Sequence, residues 1–227
     1  MHIWKHFQTI TRHRHAVLRH CFRAGIGLQG LTHDLSKYSP AEFWTAAKYY
    51  QGDRSPNDRE REEKGYSAVW MHHKGRNRHH YEYWTDYSLQ TRRPAPVKMP
   101  LRYVVEMFCD RVAACKIYQG PRYTAKSPWN YFLRIRGQGL MHPETEALLE
   151  TLLQMLRDKG ETETFRYIRT QLLPRAAMAR HRNRQKKSPL RALRRGFLHD
   201  FALFCVILCR RSGRRHRPGR GRYSRGH

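Results

Sequence analysis

The chain has 227 residues, with 45 Lys and Arg against 18 Asp and Glu and a formal net charge of +27. That length allows one domain with a real core. The charge favours polyanionic partners such as nucleotides, nucleic acid or anionic lipid without dictating a fold. The five cysteines form no CxxC pair and no even framework, which argues against a disulfide scaffold and for a reducing compartment. The start, Met1-His2-Ile3-Trp4-Lys5-His6, has no apolar signal-peptide core, so a cytoplasmic protein is expected.

Residues 3–22 have helical periodicity. Trp4, Phe7, Ile10, Val17, Leu18, Cys21 and Phe22 fall on one arc, and His2, His6, His13 and His20 lie along its border. Gly25, Gly27 and Gly30 break the pattern, and a second helix is expected from about Gln29 or Leu31 towards Lys37. It contains Leu31-Thr32-His33-Asp34-Leu35-Ser36-Lys37, the stretch with the strongest chemistry. An adjacent imidazole and carboxylate hold a divalent cation only if distant segments supply the remaining ligands, because two neighbouring side chains cannot encircle an ion.

Ser39-Pro40-Ala41-Glu42 is a helix start with a Ser cap, Pro in the first turn and an acid behind it, opening a helix through Tyr50. Residues 51–58 read as a loop, followed by a charged helix from about Asp58 to Lys74. It ends in a run from Trp70 to Trp84 that holds His72-His73 and His79-His80 among aromatics and cations. A basic aromatic surface is the plain reading of that run, but so dense a set of imidazoles is hard to explain by packing alone. Arg92 to Pro100, with three prolines, is expected to be a linker.

Leu101 to Tyr118 forms a mostly apolar helix in which Asp110 shares a stripe with Tyr103, Met107, Ala114 and Ile117. A carboxylate there needs either an ion-pair partner, such as Arg111 or Arg102, or a metal. Further helices start at Ser127-Pro128 and His142-Pro143-Glu144, the latter running through Leu156 to a stop at Gly160, and a last one spans about Glu161 to Leu173. No segment alternates long enough to argue for a sheet, so an all-α domain is expected over 1–174. From Arg175 the chain has 17 Lys and Arg against Asp200 alone. This 175–227 tail is expected to be mostly disordered, with a short apolar helix near 190–210 that is too short to cross a bilayer. His199-Asp200 within it is taken as coincidence.

His13, His33-Asp34 with Lys37, His72-His73 at a helix end, and Asp110-Arg111 followed by Ala113-Ala114 together resemble the HD superfamily of metal-dependent phosphohydrolases. The resemblance implies a helical bundle holding one or two divalent metals through a His, a His-Asp pair and a distant Asp, with further His in a binuclear site. Carried onto this sequence, the metal ligands are His13, His33, Asp34, His72, His73 and Asp110, with His79 or His80 as further candidates. Where one branch of the superfamily has His-His-Glu, this chain has His72-His73-Lys74, and that branch's Gly-Tyr-Pro signature is absent. More closely, Gly30 to Pro40 and His72 to Asn77 are similar to a bacterial family of unknown function, over residues 1 to about 173.

The expected activity is hydrolysis of a nucleotide or other phosphate ester by a metal-bound hydroxide, with Mn, Fe, Co, Ni or Zn as the metal. Lys37, Lys74, Arg76 and Arg111 are candidates to bind substrate phosphate, and Lys37 and Arg111 also to act catalytically by neutralising developing charge. The rival is a non-catalytic basic helical module that binds nucleic acid, the tail supplying phosphate contacts and the His-rich, aromatic stretch from Trp70 to Trp84 packing against bases. A third reading lays the tail on an anionic membrane.

Overall fold

A computed structural model describes residues 2–183 of the chain. The expected short helix near 190–210 lies outside the described residues, as does the expected disorder of the tail beyond residue 183; residues 175–183, expected to open that tail, are helical.

Helix α1, Ile3–Ala24, is followed by the short α2, Gly27–Leu31, and by a 3-10 turn at Leu35–Tyr38. Then come α3 (Pro40–Tyr49), α4 (Pro56–Lys64) and α5 (Ala68–Lys74). An antiparallel hairpin of β1 (Thr85–Ser88) and β2 (Arg93–Pro96) precedes α6 (Leu101–Gln119), α7 (Ser127–Phe132) and α8 (Pro143–Tyr167). The described residues are thus all-α apart from one small hairpin. None of their helices is long and apolar enough to cross a membrane.

The core lies where α1, α6 and α8 meet, around Val17, Cys21, Phe108, Val112, Leu149, Leu152, Leu156 and Phe165. The buried stripe of α1 is rotated from the expected arc. It runs His6, Ile10, His13, Val17, His20, Cys21 and Ala24, while Trp4 is 67 % and Phe22 57 % exposed. Of the histidines expected on a border, His2 is exposed while His6, His13 and His20 face inward, His6 against the Phe43 and Tyr50 rings. His20 Nδ1 donates to the Cys109 carbonyl at 3.2 Å and its Nε2 lies 3.2 Å from Lys116 Nζ.

Three other expectations need correction. The helix expected from Asp58 to Lys74 is two helices, because Gly65 takes φ 79° and caps α4, and Ser67 restarts the chain by accepting from the Trp70 amide. The linker near Arg92–Pro100 contains the second strand of the hairpin, whose prolines sit on an edge where no donor is lost. The chain also does not stop at Gly160. It breaks locally there (φ 78°), resumes as helix, and passes through a π turn at Ile168–Leu172 into helix up to residue 183.

Candidate metal centre

The His33-Asp34 pair does not lie within a helix. Helix α2 ends at Leu31, and Asp34 takes a left-handed conformation (φ 53°, ψ 25°) before the 3-10 turn. Aspartate tolerates this region better than most residues, at a cost of order 1 kcal/mol. Gly30 sets up the turn: a Cβ there would lie 2.6 Å from Cys21 Cβ, so only glycine lets α2 approach α1 this closely. The result buries both side chains of the pair and turns the Asp34 carboxylate toward three other segments.

One oxygen of Asp34 faces α1 and α6. Its Oδ2 lies 3.6 Å from His13 Nε2 and 3.3 Å from His33 Nε2, and Asp110 Oδ1 lies 3.0 and 3.7 Å from the same two nitrogens. The other oxygen faces the region after α5, where Asp34 Oδ1 lies 3.2 Å from His73 Nε2 and 3.4 Å from His79 Nε2. Two groups result, His13-His33-Asp34-Asp110 and Asp34-His73-His79-His80, each with ligand atoms within 4.8 Å of one another. Asp34 belongs to both.

The donor atoms are aimed inward. The Nε2 atoms of His13, His33, His73, His79 and His80 and Asp34 Oδ1 are buried with no hydrogen bond, and Asp34 Oδ2 has the ion pair with Lys37 alone beside the imidazoles. Buried polar atoms are rarely orphaned, and here the orphans converge. Metal–ligand bonds of about 2.0–2.2 Å place neighbouring ligand atoms about 3.0–3.4 Å apart in octahedral or tetrahedral geometry, the spacing seen around Asp34. The residues present therefore fit a metal ion.

The outward nitrogens are held by two buried glutamates. Glu106, on α6, accepts from His33 Nδ1 at 2.9 Å and lies 3.4 Å from His79 Nδ1, and Gln29 donates to its other oxygen. Glu42, on α3, lies 2.8 Å from His73 Nδ1 and 2.6 Å from His72 Nδ1. A carboxylate bound to Nδ1–H fixes the tautomer that leaves Nε2 free, the usual arrangement behind a metal-ligating imidazole. The cluster His33-His79-Glu106 has close ligand-type atoms as well. Its contacts run through the Nδ1 side, so it orients the imidazoles of the other two groups.

Charge in the site is finely balanced. Burial opposes ionisation of Asp34, but His33, Lys37 and His73 outweigh it and hold the carboxyl well below its ordinary range. Burial likewise presses His33 toward neutrality, yet Asp34, Asp110 and Glu106 carry it well above its usual value. His80 goes the other way: burial, then the neighbouring His79 and His73, hold it neutral. Burial also works against Glu106, but His33 and His79 bring it down to about 2. Lys37 Nζ lies 2.6 Å from Asp34 Oδ2, in direct contact with a ligand carboxylate.

Of the residues picked from the sequence, the structure brings together His13, His33, Asp34, His73, Asp110 and Lys37, joined by His79 and His80. Asp110 faces His13, at 3.0 Å, and no ion pair joins it to Arg111 or Arg102. His72 stands outside both groups, since the next residue on a helix turns by about 100° and its Nδ1 is engaged by Glu42. Arg111 is turned from Asp110 for the same reason, and its guanidinium lies 5.5 Å from the Tyr131 ring centroid. Lys74 is half-buried outside both groups, and Arg76 is exposed beside them. The sequence reading missed Glu42 and Glu106. Glu106 carried a signal, since it sits one turn before Asp110 on a helix whose face is otherwise apolar; Glu42 looked like an ordinary first-turn acid.

Residues 2–155 match the model of a family of unknown function, DUF5662. Neither a curated protein nor a solved structure matches the chain.

Proposed function

The chain belongs to that family of unknown function, and from that premise we propose that it is a metal-dependent phosphohydrolase with two cation positions sharing Asp34. The observation that carries the reading is the convergence of buried, unpartnered imidazole Nε2 atoms on both oxygens of one carboxylate. His13, His33, Asp34 and Asp110 hold the first ion, and Asp34, His73, His79 and His80 the second. Mixed imidazole and carboxylate donors suit Mn, Fe, Co, Ni or Zn. Such ions, when bound, supply Lewis acidity toward water and phosphoryl oxygens.

The chain's own residues do the rest. Glu106 and Glu42 keep protons on the Nδ1 atoms, so that the Nε2 lone pairs stay directed inward. Lys37, partly exposed and paired with Asp34, offers a cation at the rim where a phosphate ester would enter. Asp110, at 17 % side-chain exposure the most accessible carboxylate of the two groups, marks the open side.

The test is metal content of purified, tag-free protein by elemental analysis, beside Asp34→Ala, His13→Ala and His80→Ala. Two ions are expected in the wild type, one in each His variant and none in Asp34→Ala, with phosphate-ester hydrolysis lost in all three. A wild type that neither carries metal nor takes up manganese, iron or zinc overturns the reading.

A further inference from the structure

A cleft of about 720 Å³ opens between the α1–α2 junction, the turn after α5 and the start of α6. Arg76, Arg78 and Arg102 line it, and His33, His79 and Glu106 form part of its wall. Neither Asp34 nor Asp110 lines it. The layer of His33, His79 and Glu106 therefore stands between the cleft and the carboxylates of the metal centre.

Among the described residues, no carboxylate pairs with the three arginines of the cleft. Arg78 and Arg102 donate to the Tyr103 hydroxyl at 3.3 and 2.8 Å, and Arg76 donates to the His72 carbonyl at 3.4 Å, all neutral oxygens. The Glu106 carboxylate is already engaged by His33, by His79 and by Gln29. The volume lies in the range of small-molecule sites, and forked guanidinium donors match phosphoryl oxygens two at a time. The Tyr103 ring is occupied by the Arg102 guanidinium at 4.6 Å and by Trp84 at 5.6 Å. The wall thus offers charge and not an open ring face for a base.

We propose that this cleft binds a phosphorylated small molecule through its phosphoryl groups, at a position separate from the metal-facing side of Asp34. An anion seated on Arg78 and Arg102 lies against the Gln29-Glu106 layer that aims His33 and His79. Its binding is therefore coupled to the order of the metal ligands, and by linkage metal binding is coupled to it.

The probe is inorganic pyrophosphate, titrated calorimetrically into the full-length, metal-stripped protein at low ionic strength. The expected result is a saturable site whose affinity falls about tenfold or more in the double variant Arg78→Gln/Arg102→Gln. Both arginines are exposed, so the variant should keep its melting temperature and its metal content, and the basic tail is the same in both proteins. Asp34→Ala should bind pyrophosphate as the wild type does. Three results overturn the cleft: no saturable binding, unchanged binding in the double variant, or binding that requires added metal and vanishes in Asp34→Ala. The last would leave the phosphohydrolase reading standing. Arginine-dependent binding to a protein that takes up no metal would uphold the cleft and sink that reading.

Discussion

Glu42 Oε2 lies 2.8 Å from His73 Nδ1 while its Oε1 lies 2.6 Å from His72 Nδ1, so one buried carboxylate orients two neighbouring imidazoles. Only His73 presents its other nitrogen to Asp34. Glu42→Gln should therefore weaken metal binding at the His73 group by about 10–100-fold while leaving the His13 group filled. His72→Ala should leave both positions filled. Metal titration of each variant checks this, and loss of metal in His72→Ala would return that residue to the ligand set.

Cation binding to the folded chain alone should raise its stability by about 2.7 kcal/mol at a hundredfold excess over the dissociation constant. Thermal melts with and without manganese or zinc should differ by several degrees in the wild type. Asp34→Ala should melt at one temperature in both conditions, and an equal rise in that variant would place the stabilising ion elsewhere.

Gly30 lets α2 lie against Cys21, and the turn that begins there delivers His33 and Asp34. Gly30→Ala forces a methyl to within 2.6 Å of the Cys21 Cβ. The overpacking should cost about 1–3 kcal/mol and lower metal content together with the melting temperature. A variant with native melting but lost metal would show that the turn moves without straining the core.

Away from the metal centre, His20 is buried and its pKa falls to about 4 through burial and the nearby Lys116. The folded state therefore holds His20 neutral while the unfolded chain protonates it near 6.5. Stability from this group is complete above about pH 6.5 and is lost as the pH falls toward 4, roughly 3 kcal/mol in all. Glu161, held down to about 2 by Lys116 and Arg23 against the effect of burial, adds a loss that sets in below its ordinary value of 4.5. Urea melts of metal-free protein from pH 7 to 4 should show the first decline. His20→Gln should flatten it, and an unchanged slope in that variant would assign the decline to another group.

The sequence alone determined the helical class, the helix starts at Ser39-Pro40 and His142-Pro143, and the residues His33, Asp34 and Asp110 of the candidate metal centre. His33-Asp34 and Asp110 were legible because ionisable side chains stood in apolar, helically periodic surroundings, where burial without a partner is costly. What it did not determine was phase and partnership. Trp4, Phe7 and Phe22 outweigh the histidines in any reading of α1 by hydrophobicity. The buried stripe is nevertheless the one holding His6, His13 and His20, because Asp110 and Asp34 meet His13, the Cys109 carbonyl meets His20, and the Phe43 and Tyr50 rings cover His6.

The same holds for the left-handed Asp34, which follows the turn where Gly30 packs on Cys21, and for His79 and His80, whose chain turns back after α5. Glu42 and Glu106 are ordinary helical acids in one dimension. Tertiary structure alone put their carboxylates behind the imidazoles, because the hydrogen bonds that fix a ligand's direction join residues 31 and 73 positions apart.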